Sequence, residues 1–273
     1  MSGPDAGGRP STPSEVERQA RRTIVVHPDA EALAHTTAAR LLVTLVDAQA
    51  HRAPLHVVLT GGTVGIATLA AVADSPVRDA VDWSQVHLWW GDERFLPDGD
   101  PDRNETQARA ALLDALGPAL PDGNVHAVPA PSAAVPTPEV AAEAYAAELA
   151  RYAREGRQVP ELDVLLLGMG PDGHVASLFP EHPALDVSGV ATVGVHGSPK
   201  PPPLRVSLTF DAIRAAREVW IVAAGAEKAS AVASALSSAP VTTTPAAGAL
   251  GTAATRWLID AAASEHLPRP DQG

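Results

Sequence analysis

The chain has 273 residues, 45% apolar and 19% charged, a composition that suits one large α/β domain with a substantial core. Its formal net charge of −12 argues against nucleic acid or an anionic membrane surface as a partner, yet leaves room for a small anion held by a few converging cations. It has no cysteine, which excludes disulfides and thiolate metal sites, and no run of about 18 apolar residues that would span a membrane as a helix. Residues 1–22, rich in Gly, Pro, Ser and charge, read as a disordered tail without the apolar stretch of a signal peptide.

A single α/β domain is expected over 23–263, followed by a loose tail over 264–273. TIVVH at 23–27 is a β-branched strand candidate. Ala34, Ala38, Leu41 and Leu45 then repeat at helical spacing. LHVVLT at 55–60 reads as a strand running into GGT, with a helix over 64–73. QVHLWW at 85–90 reads as a third strand running into GDER, with a helix over roughly 104–116. A Pro/Ala loop occupies 128–138. Thr137 before Pro138 predicts an N-cap with proline in the first turn, and Tyr145, Leu149 and Tyr152 mark the buried face of that helix. LDVLLLG at 162–168 is the most apolar strand and feeds GMGPDGH. Strand candidates at 191–195 and 204–210 flank SPKPPP. EVWIVAAG at 218–225 predicts another buried strand with a helix after it, 239–251 a low-complexity loop, and TRWLID at 255–260 a last short strand. Trp89, Trp90, Trp220 and Trp257 fall in strand patterns and belong in the core.

Continuous apolar strands alternating with helices predict a Rossmann-like, mostly parallel sheet with helices on both faces. In such sheets ligands bind beyond the carboxyl ends of the strands, where the polar loops of this chain gather. TGGT, with Gly61, Gly62 and Thr63, reads either as a phosphate cradle at a helix N-terminus or as a plain tight turn. In GDER, Asp92 and Arg94 read as site residues, the guanidinium suited to bidentate grip of phosphate or carboxylate, or else as a surface ion pair. GMGPDGH is the sharpest signal. Gly168, Gly170 and Gly173 would let a substrate lie against the backbone. An imidazole such as His174 can accept a proton near neutral pH, with Asp172 orienting its ring; the plainer alternative is a helix start capped by Asp172. SPKPPPLR reads as a stiff polyproline-like segment presenting Lys200 and Arg205. Ser177 is not in a GxSxG elbow and is not read as a nucleophile. The scattered histidines show no HExxH spacing, so no metal is expected, and His182 and His196 read as ordinary loop residues.

Taken in order, LTGGT, WWGDERFLPDGDPDRN, LDVLLLGMGPDGHVASLFP, SPKPPPLRVSLT and AAGAEKA resemble the 6-phosphogluconolactonases, over roughly 23–260. The resemblance implies the sheet shared with glucosamine-6-phosphate deaminases and ribose-5-phosphate isomerases. It also implies hydrolysis of 6-phospho-D-glucono-1,5-lactone without metal or organic cofactor. On the matching positions, His174 falls at the family's proposed catalytic histidine, Asp92 and Arg94 at its GDER, and Gly61, Gly62 and Thr63 at its phosphate loop. Lys200 falls at the lysine of SPKPPP and Arg205 at the basic position after it. The chain departs from the usual SGGSTP, reading TGGTVG: Val64 is read as replacing the common proline and a serine hydroxyl is lost, with Thr63 left to supply one. After PDRN only Asn104 of the usual continuation carries over. A deaminase of the same fold is disfavoured by VASLFPEHP, and a sugar-phosphate sensor by the lack of room for a DNA-binding module. A monomer or small homo-oligomer in the cytoplasm, with no nucleic-acid or membrane partner, is the accompanying expectation.

Overall fold

The computed structural model describes Ser14, Arg18, residues 21–237 and residues 239–268. The N-terminal tail therefore lies almost wholly outside the described residues, as does the end of the C-terminal one. The apolar runs form β1 (Arg22–His27), β2 (Leu55–Leu59), β3 (Val86–Trp90), β5 (Leu162–Gly168), β8 (Glu218–Ala223) and β9 (Ala254–Asp260). They make one parallel sheet in the order β1-β9-β8-β5-β2-β3. β2 is buried at every residue, and β5 and β8 at all but one, because layers cover both faces of the sheet. The last strand falls where expected, one residue longer at its start: β9 has seven residues and lies between β1 and β8. The four named tryptophans are at most 1% exposed.

Helix α1 (Ala30–Gln49) starts at Asp29, whose carboxylate accepts the amide of Ala32 at 2.8 Å, and buries Ala34, Ala38, Leu41 and Leu45 as their spacing predicts. α2 (Thr63–Ala73) follows the GGT turn. The helix expected over 104–116 is interrupted. α3 (Asn104–Ala108) passes through a π-helical segment, Arg109–Leu113, into α4 (Asp114–Leu116). Thr137 caps α5 (Pro138–Arg151). α6 (Phe210–Ala215) and α7 (Ala229–Leu236) complete the main helices.

The departure that matters most for function is a second, antiparallel sheet, β4-β7-β6. GDER is not a loop: β4 (Asp92–Arg94) pairs with β7 (Arg205–Leu208), which pairs with β6 (Thr192–Val195). Three polar residues carry too little periodicity to announce a strand; pairing with β7 makes them one. The 239–251 stretch is a loop, as expected, but its second half is buried. Its 3₁₀ turn, Pro245–Gly248, is buried throughout. No helix among the described residues is long and apolar enough to cross a membrane.

Candidate active site

The carboxyl ends of β2 and β5 open into a cleft of about 310 Å³ whose other wall is the small sheet. Gly61, Gly62, Thr63, Asp92, Arg94, Gly170, His174, Lys200 and Arg205 all border it. Asp172 stands behind His174, and Gly173 faces away, against Thr244.

Beyond β5 the chain makes a tight turn, not a helix start. The Gly170 amide donates to the His174 carbonyl at 3.0 Å, and Gly173 takes the left-handed conformation (φ 82°). A Cβ on Gly170 would overlap Cε1 and Nδ1 of His174 and Oδ1 of Asp172. Gly170 is thus needed to admit the protein's own His–Asp pair, not, as the sequence suggested, a substrate. His174 Nδ1 lies 2.5 Å from Asp172 Oδ1. Burial would raise the Asp172 carboxyl, but the hydrogen bond and charge of His174 outweigh it and hold the group down at about 2. The carboxylate therefore keeps the ring proton on Nδ1 and leaves Nε2 as the basic nitrogen. Phe179 packs on the imidazole, ring centroids 4.6 Å apart.

Side chains alternate along β4. Asp92 and Arg94 face the cleft, opposite Ser207 and Arg205 of β7. Glu93 points the other way and accepts the amides of Arg94, Asn104 and Glu105, fixing the start of α3. Burial raises its carboxyl to about 7, despite the opposing charge of Arg103 and these amides. Asp92 Oδ2 accepts the Ser177 hydroxyl at 2.6 Å and lies 3.9 Å from Arg205. Asn104 donates to the Asp92 carbonyl at 2.9 Å, and its amide oxygen occupies the space a Cβ on Gly61 would need. Arg94 spends one nitrogen on the Asp102 carbonyl.

SPKPPP is not an extended rod. The Ser198 amide reaches the Pro203 carbonyl at 3.1 Å, and Arg205 ties the resulting loop by donating to the carbonyls of Lys200, Pro201 and Pro202. Arg205 is 7% exposed and so shapes the site more than it offers a free grip. Lys200 borders the cleft as an exposed cation. Sequence reasoning missed Lys228, which follows β8 in AAGAEKA and borders the same cleft. Burial, then the charge of Lys200, lowers its ammonium, while Glu227 and Asp172 pull the other way. It also missed Ser177 as a buried donor. Gly62 (φ 79°) precedes α2 with no side-chain cap, so the first-turn amides of that helix are available to an anion. The same glycines border a second cavity of about 670 Å³ between α1, α2 and β8. His182 and His196 sit outside the cleft, His182 bonded to the His196 carbonyl and His196 paired with Glu139. No group of three or more His, Asp or Glu among the described residues is placed to hold a metal ion.

The model of the glucosamine-6-phosphate isomerases/6-phosphogluconolactonase family matches residues 28–257, and the chain belongs to that family. Within it, the chain is 57% identical to a 6-phosphogluconolactonase of Streptomyces coelicolor, over 90% of this chain and 95% of the relative. It is 44% identical to one of Mycobacterium leprae, over 90% and 98%. Its structure is similar to that of the 6-phosphogluconolactonase of Trypanosoma brucei, with a TM-score of 0.77 and 29% identity over 90% of this chain and 99% of that one.

Proposed function

We propose that the chain hydrolyses 6-phospho-D-glucono-1,5-lactone to 6-phosphogluconate, with His174 as the general base. The observation that carries this reading is the Asp172–His174 pair, with Nδ1 engaged and Nε2 left for the cleft. His174 Nε2 takes a proton from water as the water oxygen bonds to the lactone carbonyl carbon. The imidazolium, balanced by Asp172, returns that proton to the ring oxygen as the C–O bond breaks. The phosphate dianion is met by the α2 amides with Lys200 and Lys228, and Arg94 positions the ring. The names borne by the relatives support the substrate; the reaction belongs to the oxidative pentose phosphate pathway, and a cytoplasmic location is part of the proposal.

The test follows lactone opening after generating the lactone in situ, against the protein-free rate. Wild-type protein should accelerate it strongly. His174→Ala should lose about 10²–10⁴-fold in kcat, the usual weight of a general base, while its melting temperature stays close to wild type. Undiminished turnover in this variant would end the role given to His174.

A further inference from the structure

Ser177 was not read as a nucleophile, and its surroundings point to a different part for it. It is fully buried, at 0% exposure. Its amide donates to Ser207 Oγ at 3.1 Å and its hydroxyl to Asp92 Oδ2 at 2.6 Å. Asp92 and Ser207 are themselves directly paired across β4 and β7. The chain reaches this position through Ala176, which holds a left-handed conformation (φ 49°) between His174 and Ser177.

We infer that Ser177 is a positioning residue, whose hydroxyl fixes the Asp92 carboxylate so that its other oxygen receives a ring hydroxyl of the substrate. This rests on the lactone reading above. Oδ2 is occupied by Ser177 and faces Arg205 at 3.9 Å, whereas Oδ1 has only a long contact, 3.4 Å, from Asn104. A carboxylate offers about four lone-pair sites, so Oδ1 keeps acceptor capacity at the border of the cleft. A polyhydroxylated lactone brings donors and a dianionic phosphate. The cations suit the phosphate, and Asp92 is the one carboxylate among the described residues that borders the cleft. Without the Ser177 hydroxyl, the carboxylate is free to turn both oxygens toward the Arg205 guanidinium and withdraw its acceptor. His174 is not touched by this change, so the loss falls on binding more than on proton transfer.

The experiment is a double-mutant cycle with Ser177→Ala and Asp92→Asn, read as kcat and KM for lactone opening. Alanine keeps the amide bond to Ser207, so the cycle isolates the hydroxyl. Ser177→Ala should raise KM about tenfold with kcat within about threefold, the weight of one hydrogen bond to a charged group. In the Asp92→Asn background it should add nothing. Equal effects in both backgrounds, or an unchanged KM, would overturn the inference. If the alanine variant does not fold, Ser177→Cys keeps the shape with a weaker donor; it should raise KM in the wild-type background only, and an unchanged KM there also overturns the proposal. Failure of wild-type protein to accelerate lactone opening would instead remove the functional reading itself.

Discussion

Gly170→Ala separates two explanations of the glycine-rich turn. If the glycine makes room for substrate, a methyl there should obstruct binding and raise KM. The structure says otherwise: the space is filled by His174 and Asp172, and the added carbon falls short of ordinary van der Waals separation from both by more than about 1 Å. The backbone at Gly170 is not left-handed, so alanine brings a steric and not a conformational penalty. The pair can give way, because the His174 and Asp172 side chains are 14% and 35% exposed. The protein should therefore fold, with the base displaced by about 1 Å, a misplacement that costs on the order of 100-fold in rate. The expected result is kcat down about 100-fold, KM within a few-fold, and a melting temperature shifted by only a few degrees. A folded Gly170→Ala enzyme with wild-type kcat and a raised KM would refute the packing argument and restore the glycine to the substrate.

Two further outcomes follow from the charges. Asp172→Asn keeps a hydrogen-bonding group beside His174 but removes the charge that fixes its tautomer and balances the imidazolium; kcat should fall at least about 100-fold, measured in the same assay. At the far end of the sheet, Trp89 donates to His56 Nδ1 at 3.1 Å, His87 and His126 share a 2.8 Å hydrogen bond, and His126 meets Glu148. Burial, with the charges of His87 and His126, depresses His56 to about 3. The unfolded chain takes up that proton below about 6.5 and the folded one does not, so stability from His56 is present above about 6.5 and drains away toward pH 3. Glu93, raised to about 7, has the opposite sign: its contribution is full below about 4.5 and is lost as pH rises through 7. The readout is therefore the difference between wild type and His56→Gln in urea unfolding, which should shift by about 2 kcal/mol between pH 6.5 and 5. A difference independent of pH would show that His56 is not held neutral by the fold.

The main sheet was legible because a strand buried on both faces has to be apolar throughout, and β2, β5 and β8 say so residue by residue. The polar loops were legible because a glycine, an acid and a histidine in a row have no place in a core. The small sheet was not, since β4 is three polar residues whose strand character exists only in pairing with β7. The π-helical segment at Arg109–Leu113 leaves no mark on an Ala/Leu-rich pattern. Lys228 was hidden for a different reason: a lysine at a helix start is common, and only the approach of Lys200 and Asp172 gives it meaning. Ser177 was judged against one role, nucleophile, and its bond to Asp92 spans 85 positions of sequence.

The departure at TGGTVG looked like a loss of phosphate-binding groups, and the packing gives it another sense. The serine of SGGSTP falls at Thr60, which keeps the hydroxyl and uses it to accept the Gly168 amide at 3.0 Å, joining the ends of β2 and β5. The extra methyl of threonine takes up room: a Cβ on Gly65 would lie 2.8 Å from Thr60 Cγ2 and 2.8 Å from the Thr60 carbonyl oxygen. Set position by position, the proline of the usual motif falls at Gly65 and not, as read from the sequence, at Val64. Threonine at 60 and glycine at 65 are therefore one packing solution, each admitting the other. Nor does the proposed anion site suffer by it. Its proposed donors are backbone amides of the first turn of α2, which Gly62 leaves uncapped, and proline is the residue that lacks an amide. Replacing it with glycine adds an N–H at the third helical position, so the cradle proposed for this chain rests on the path of its backbone and on Lys200 and Lys228, with no requirement for the missing side chains.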